Sequence, residues 1–244
     1  AQTAVTAQSR PTRARISGSR RLISRPANSA AASVQSQTIA FAGASTGAWL
    51  AKSIRLTGLI LGGTLIFLVG LLDDAVELNP IQLGTAQILA AGIAVAFQIF
   101  IETLNNPLTG QQTDPWPPLV TITISMFWIG LMMNTVNFMD GLDGLVGGVA
   151  FIAGAMLFIN SAFILQPAQT SVSLLPLALM GSSLAFLLYN FYPAQIFLGG
   201  GAYFVGYLLG TLSIIGGAKM ATILLVMGLP LMDLAWQVAN RMRQ

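Results

Sequence analysis

Long apolar runs, separated by short polar or proline- and glycine-rich stretches, occupy the chain from residue 56 onwards. Each run approaches the ~20 residues that a helix needs to cross the hydrocarbon core of a bilayer. The pattern predicts seven transmembrane helices, at residues 56–72, 81–101, 119–139, 144–164, 174–192, 202–217 and 220–239. Residues 36–50 are a candidate for one further span, although this stretch is short and rich in small residues. We therefore expect an all-α fold, a polytopic membrane helix bundle.

The composition agrees with a membrane protein and excludes several kinds of chemistry. Of the 244 residues, 55% are hydrophobic and 8% are charged, and the mean hydropathy is +0.74. A soluble protein with a large core would carry more charged residues on its outer surface. The chain has no cysteine and no histidine, so disulfide bonds, thiolate nucleophiles and imidazole acid–base catalysis are excluded.

Basic residues are concentrated near the N-terminus. Six of the eleven Lys and Arg residues lie within the first 25 positions, and the first acidic residue is Asp73. Residues 1–35 cannot bury enough apolar surface to fold alone, so we expect a disordered basic tail there and a membrane domain over residues 36–244. Because the chain opens on Ala rather than Met, we also expect a cropped N-terminus.

Alternating crossings would bring most acidic residues to one face of the membrane. The connections at 73–80, 140–144 and 193–201 fall on that face, together with two arginines near the C-terminus. Five of the eight acidic residues then share it: Asp73, Asp74, Glu77, Asp140 and Asp143. The positive-inside rule makes this face cytoplasmic and places 104–118 and 166–171 on the other side. We expect a multi-pass protein of the cell inner (plasma) membrane whose site faces the cytoplasm.

Polar residues recur at every third position between two predicted helices: Asn134, Asn137, Asp140 and Asp143. A helical or 3₁₀ turn would hold them on one slowly drifting face. Carboxylates and amides are costly near hydrocarbon unless they have a partner. The natural partner for this group is a cation.

A second acidic group, Asp73-Asp74, ends the first predicted helix. Adjacent like charges repel each other but suit a hard divalent cation such as Mg²⁺. Helix termination or interfacial solvation is the alternative explanation for such a pair. Because Mg²⁺ usually joins protein carboxylates to substrate phosphates, we expect a phosphate-bearing substrate on this face.

A glycine-rich turn follows Pro193, which ends a predicted helix. The run Gly199-Gly200-Gly201 permits close backbone approach and positive φ before the next helix begins. Such a turn at a helix N-terminus can receive a phosphate, although small residues also serve helix packing alone.

Together, these three segments resemble a known family. Gly70-Leu71-Leu72-Asp73-Asp74, then N-x-x-N-F-x-D-G-x-D-G-L at 134–145 and N-x-x-P-A-x-x-F-x-G at 190–199 occur in this order. They are similar to the motifs of the polyprenyl-phosphate N-acetylhexosamine-1-phosphate transferases, glycosyl transferase family 4. The resemblance covers about residues 56–244, and its middle motif is the most specific.

The resemblance implies transfer of a sugar 1-phosphate from a UDP-sugar to a membrane polyprenyl phosphate, with release of UMP and with Mg²⁺ as cofactor. It implies a catalytic set of Asp73, Asp74, Asp140 and Asp143. The implied substrate-binding set is Asn134, Asn137, Asn190, Gly199 and Gly200. The implied metal set is Asp73, Asp74 and Asp140. In this scheme Asp73 and Asp74 serve the lipid-phosphate end, and Asn190 touches the nucleotide sugar.

This chain departs from the family pattern in ways that favour weak or lost activity. The family places an Asp, a principal metal ligand, directly after the F-x-G of the third motif, where this chain continues from Gly199 into Gly200. Its basic residue beyond the Asp pair has no counterpart at 81–83. Its first helices, its histidine-bearing loop and its last helix are also missing, so the resemblance is expected to be incomplete at both ends.

Two other function classes stay open. A non-catalytic membrane scaffold derived from the family would explain the missing Asp. An ion-coupled transporter would require acidic residues in mid-membrane, whereas here they collect at one edge. We expect no nucleic-acid partner, and a homodimer is left open.

Overall fold

The structure, a computed structural model, describes residues 27–103, 114–165 and 170–216, together with Gly228, Met232 and Trp236. All regular secondary structure in these ranges is helical, as predicted. The helices are α1 Ala27–Val76, α2 Pro80–Ala96, α3 Pro118–Met139, α4 Leu145–Ile159, α5 Thr170–Asn190 and α6 Gly201–Ile215. A π-helical turn, Asn160–Ile164, continues α4.

The prediction of seven spans is not confirmed within this described part of the chain. Four helical stretches are long and apolar enough to cross a membrane: Thr46–Val76, Pro118–Met139, Leu145–Ile164 and Val172–Asn190. Helices α2 and α6 are apolar but shorter, at 17 and 15 residues. The predicted span 220–239 lies almost entirely outside the described residues, as do most of the predicted connections 104–118 and 166–171.

The candidate extra span at 36–50 differs from what the structure shows. Residues 36–50 are not a separate helix, because they belong to the continuous helix α1. Helix α1 begins at Ala27. Residues 1–26, most of the predicted disordered tail, lie outside the described ranges, so that tail and the domain boundary at 36 stay predictions. The chain divides into two compact units, residues 1–47 and 48–244.

The predicted helix 81–101 is too long at its C-terminal end. Helix α2 stops at Ala96, and Gln98 takes a positive φ of 64°. The following segment is buried without being helical: Ile99 and Ile101 are 0% and 6% exposed. The Ile101 N–H donates to Ser125 Oγ at 2.8 Å, which ties the segment to α3. An apolar run therefore continues past the end of the helix, which hydropathy alone cannot detect.

Helix α6 packs between α1 and α3. A Cβ on Gly206 would lie 2.5 Å from Met133 Cα, so the backbones of α6 and α3 are in close contact. Trp128 Nε1 donates to Ser213 Oγ at 3.0 Å across the same interface. On the other side the Tyr207 hydroxyl donates to the Gly58 carbonyl of α1 at 3.0 Å. These contacts fix α6 between α1 and α3.

Opposite charges mark the two ends of the apolar part of α1. Lys52 and Arg55 are the only basic residues in the ranges 46–103, 114–165 and 170–216, and the Lys52 ammonium lies 5.6 Å from the centre of the Trp49 ring. Asp73 follows Lys52 by 21 positions, which is about 32 Å along a helix. That distance is close to the ~30 Å thickness of the hydrocarbon core.

Candidate active site

The loop between α5 and α6, residues 191–200, binds three carboxylates through its backbone amides. The Ala194 N–H donates to Asp143 Oδ2 at 3.1 Å. The Gly199 N–H donates to Asp140 Oδ2 at 2.8 Å, and the Gly200 N–H donates to Asp74 Oδ1 at 2.8 Å. Asp74 comes from the last turn of α1, Asp140 caps the C-terminus of α3, and Asp143 lies in the turn before α4. Two segments distant in sequence, the end of α1 and the connection between α3 and α4, therefore meet at one loop.

The two glycine amides are well placed for this task because they lie at the start of α6. Gly200 is the N-cap of that helix, where backbone N–H groups have no partner within the helix and the helix dipole favours negative charge. The sequence predicted that Gly199 and Gly200 bind a substrate phosphate. In the structure their amides already bind two carboxylates of the chain itself.

Position 199 also requires a glycine for steric reasons. Its φ is +56°, and a Cβ would lie 2.8 and 3.0 Å from the carboxylate oxygens of Asp74. A side chain here would strain the backbone and push Asp74 away. The absence of a side chain is thus part of how the turn receives the Asp74 carboxylate.

Asn190 joins the α5–α6 loop to the turn before α4. Its side chain is 2% exposed. Its Oδ1 accepts a hydrogen bond from the Gly144 N–H at 2.9 Å, and its Nδ2 donates to the Ile196 carbonyl at 2.9 Å. The predicted contact between Asn190 and a nucleotide sugar stays a prediction. What the structure shows is a buried amide that holds two backbone segments together.

Asp73 takes part in a different interaction from that of its neighbour Asp74. Its Oδ1 accepts a hydrogen bond from the Leu78 N–H at 2.9 Å, and its carbonyl accepts one from the Glu77 N–H at 2.9 Å. Asp73 therefore closes the turn between α1 and α2. The half-buried carboxylate also acts electrostatically on the Tyr203 hydroxyl.

The two predicted amides on α3 lie in different surroundings. Asn134 Nδ2 donates to Gln87 Oε1 of α2 and to the Gly130 carbonyl, both at 2.8 Å. This pair borders an apolar cavity of about 360 Å³ between α2 and α3. Asn137 is half-buried, and its side-chain amide makes no hydrogen bond to any described residue. Of the two, Asn137 is the one whose amide can meet a ligand without first losing a partner.

The electrostatics of the site centre on Asp140. Burial is the main cause that raises its pKa above the ordinary value, and the nearby Asp74 carboxylate raises it further. Hydrogen bonds from the Gly199 and Leu198 amides act in the opposite direction, because they favour the charged form. Asp74 and Asp140 thus lie close enough on the same turn for their charges to repel each other.

The structure does not gather the whole predicted metal set. In the part of the chain that it describes, no three acidic side chains are grouped so that they could hold a metal ion, and Asp73 binds Leu78 instead. The carboxylates of Asp74 and Asp140 accept hydrogen bonds from adjacent amides, and together they supply a pair of hard oxygen ligands. Mg²⁺ is typically bound by one or two carboxylates, with water and substrate phosphates completing its shell, so this pair fits the ion.

Two residues that shape the site were given no individual role from the sequence. Gln87 is a buried amide, and the other buried residues of α2 are all alanines. Gly70 contacts the backbone of Gly200. Its position within the Gly-Leu-Leu-Asp-Asp motif marked it, but its spatial partner could not be read from the sequence.

Comparison with known proteins shows which family the chain resembles. The model of glycosyl transferase family 4 matches residues 56–217. The probable undecaprenyl-phosphate N-acetylglucosaminyl 1-phosphate transferase of Bacillus subtilis is 29% identical over 201 residues, which cover 77% of this chain and 53% of the relative.

Two further relatives extend the comparison. The decaprenyl-phosphate N-acetylglucosaminephosphotransferase of Mycolicibacterium smegmatis is 30% identical, covering 66% of this chain and 41% of its own length. The phospho-N-acetylmuramoyl-pentapeptide-transferase of Listeria welshimeri is 34% identical, covering 54% and 42% respectively. The chain thus spans about half the length, or less, of these curated relatives.

Proposed function

Because the chain belongs to glycosyl transferase family 4, we propose that it transfers an N-acetylhexosamine 1-phosphate from a UDP-sugar to a polyprenyl phosphate, releasing UMP. The relatives are named for transfer of N-acetylglucosamine 1-phosphate to undecaprenyl or decaprenyl phosphate, or of phospho-N-acetylmuramoyl-pentapeptide. The product would serve cell-wall or surface polysaccharide synthesis. The proposed location is the inner membrane, with the site facing the cytoplasm.

The observation that carries the proposal is the set of three carboxylates bound by one loop. Asp143, Asp140 and Asp74 accept hydrogen bonds from Ala194, Gly199 and Gly200. Phosphoryl transfer needs reactants in line and charge neutralised, more than it needs a covalent catalyst. Acidic side chains held in place by backbone amides can bind a cation, and that cation would neutralise phosphate charge and help to align the reactants.

In the proposed reaction, a phosphate oxygen of the lipid attacks the phosphorus next to the sugar. The bond from that phosphorus to the oxygen of UMP breaks, and UMP leaves with the bonding electrons. The product is a lipid carrying the sugar through a pyrophosphate. Every step is a substitution at phosphorus, so no oxidant or reductant is required.

The residues divide into a metal-binding and a substrate-binding part. Asp74 and Asp140 would hold Mg²⁺, which when bound neutralises phosphate charge. Asp143 is exposed and Asn137 has an available amide, so they are the residues proposed to contact the nucleotide sugar. Asp73 is proposed to act at the lipid-phosphate end, where it also fixes the turn after α1.

We propose that turnover in this chain is slow. The family's Asp after F-x-G is absent here, and the amides of the glycine turn are occupied by Asp74 and Asp140. Losing one electrostatic contact of this kind can reduce a rate by ~10²–10³. The same observation favours the second candidate, a non-catalytic scaffold derived from the family. The location of Asp74 and Asp140 at helix ends argues against an ion-coupled transporter.

An assay of the reconstituted chain tests the proposal. The chain in nanodiscs would receive undecaprenyl phosphate, Mg²⁺ and radiolabelled UDP-N-acetylglucosamine, with the Bacillus subtilis relative as the positive control. We expect a labelled lipid product, and we expect Asp140→Asn to abolish it. The control is Asp114→Asn, the same change in an exposed residue outside the α5–α6 loop, and it should leave product formation intact. No product from this chain, in a preparation where the relative is active, would favour the scaffold.

A further inference from the structure

The backbones of α1 and of the turn before α6 touch at one point. A Cβ on Gly70 would collide with the carbonyl oxygen of Gly200 and would lie 2.7 Å from its carbonyl carbon. The converse also holds, because a Cβ on Gly200 would collide with the Gly70 carbonyl group. Since both partners are main chain, no rotation of a side chain can relieve the overlap.

The turn before α6 also donates a hydrogen bond to a side chain on the face of α1 that carries Gly70. Gly70 and Asp74 are four residues apart, so they are neighbours on one helix face. Gly200 contacts Gly70 through its carbonyl group and donates its N–H to Asp74 Oδ1 at 2.8 Å. The adjacent Gly199 N–H binds Asp140 at 2.8 Å. The distance between α1 and this turn therefore decides whether Asp74 and Asp140 stand on neighbouring amides.

We propose that Gly70 is a positioning residue of the site: by having no side chain, it lets α1 approach Gly200 closely enough for Asp74 to join Asp140 as a cation-binding pair. The role in turnover rests on the function proposed above, whereas the contact itself does not. A methyl group at Gly70 would push the turn away by about 1 Å, which would lengthen a 2.8 Å hydrogen bond beyond the useful range.

The test compares three glycine-to-alanine variants of the full chain in detergent. Gly70→Ala is the test variant. Gly62→Ala is the packing control, because its methyl group would collide with the Tyr207 hydroxyl between α1 and α6, about three helical turns before Asp74. Gly148→Ala is the neutral control, since a methyl group there meets nothing within 4 Å.

Two readouts are needed, and only one uses a metal. Electron paramagnetic resonance would measure the affinity for Mn²⁺ as a probe of the divalent site. Hydrogen exchange of the metal-free chain would measure protection of the amides of Gly199 and Gly200. We expect Gly70→Ala to weaken Mn²⁺ binding by ~10–100-fold, as other losses of supporting contacts at metal sites do, and to speed exchange of both amides. Gly62→Ala should lower Tm and change neither readout.

A longer acidic side chain at position 74 provides a rescue experiment and a second, independent test. In the double variant Gly70→Ala with Asp74→Glu, the extra methylene can span the widened gap, so part of the Mn²⁺ affinity should return. Asp74→Glu alone keeps Gly70 and should weaken binding, because the close approach fits the shorter side chain. This single variant decides the matter if Gly70→Ala does not fold.

Several results would overturn the proposal. In the first, Gly70→Ala has the same Mn²⁺ affinity and amide protection as the unmodified chain. In the second, Gly62→Ala loses as much of both as Gly70→Ala does. In the third, Asp74→Glu binds Mn²⁺ as well as the unmodified chain does. If no variant bound Mn²⁺, the exchange data would decide on the same criteria. Failure of the proposed function would look different: the unmodified chain would form no lipid product, while the effect of Gly70→Ala on exchange persisted.

Discussion

Replacing Asn190 by alanine should destabilise the protein, because this side chain joins two segments of the site. The change removes the hydrogen bonds to Gly144 and Ile196, both of 2.9 Å, at a position that is 2% exposed. A typical intramolecular hydrogen bond contributes ~0.5–1.5 kcal/mol, so the loss should be about 2 kcal/mol in free energy of unfolding. For a protein of this size that corresponds to a decrease of about 4–8 °C in Tm.

Asn137 offers the matched comparison. It is also an asparagine of the predicted substrate-binding set, but its amide makes no hydrogen bond to any described residue. Asn137→Ala should therefore change Tm little and reduce the affinity for UDP-N-acetylglucosamine directly. Asn190→Ala should reduce both, and lower temperature should restore part of its affinity.

Tryptophan fluorescence during heating in detergent would give Tm, since the chain has four tryptophans. Equilibrium dialysis with the labelled nucleotide sugar would give the affinity. The reasoning would be refuted if Asn190→Ala kept the Tm of the unmodified chain but lost nucleotide-sugar binding at all temperatures. Asn190 would then be a substrate ligand, as the sequence predicted, rather than a link between backbone segments.

Three further predictions concern the metal, the pH and the helix packing. Inserting Asp between Gly199 and Gly200 restores the family's carboxylate and should tighten Mg²⁺ binding in a calorimetric titration, whereas equal affinity would show that the metal site is wrongly assigned. Because folding raises the pKa of Asp140, the folded state disfavours its charged form, and Asp140→Asn should raise Tm most at neutral pH. This gain in Tm should shrink as the pH falls through the raised pKa and should disappear below the ordinary pKa of 3.8. A gain that does not depend on pH would contradict this. Trp128→Phe removes the hydrogen bond to Ser213 and should cost about 1 kcal/mol in thermal unfolding, without an effect on Mn²⁺ affinity.

The sequence predicted helices well where their ends carry a chemical signal. The predicted span 119–139 agrees with Pro118–Met139, because Pro117-Pro118 begins the helix and Asp140-Gly141 follows its end. The span 81–101 failed at its C-terminal end, because Ile99 and Ile101 continue the apolar pattern as buried non-helical chain. Apolar spacing reports burial, and burial does not require a helix.

For the site, the motifs indicated which residues belong together but not what each one contacts. Asp74, Asp140 and Asp143 meet at one loop, which agrees with their expected common face. That the partners are backbone amides could not be predicted, because amides carry no residue-specific signal. Asp73 and Asp74 are adjacent in sequence, yet they bind different partners, the amides of Leu78 and Gly200, and this difference depends on the geometry of the helix end.

The charged residues at the two ends of the apolar part of α1 make the site sensitive to the thickness of the surrounding bilayer. Lys52 and Asp73 are held about 32 Å apart by one continuous helix, so neither end can change its depth independently of the other. A thinner bilayer would be matched by tilting the helix at a modest energetic cost. Because Gly70 touches Gly200, tilting α1 would shear the contact that aligns Asp74. Lipid chain length should therefore tune the site from outside the protein, without any ligand.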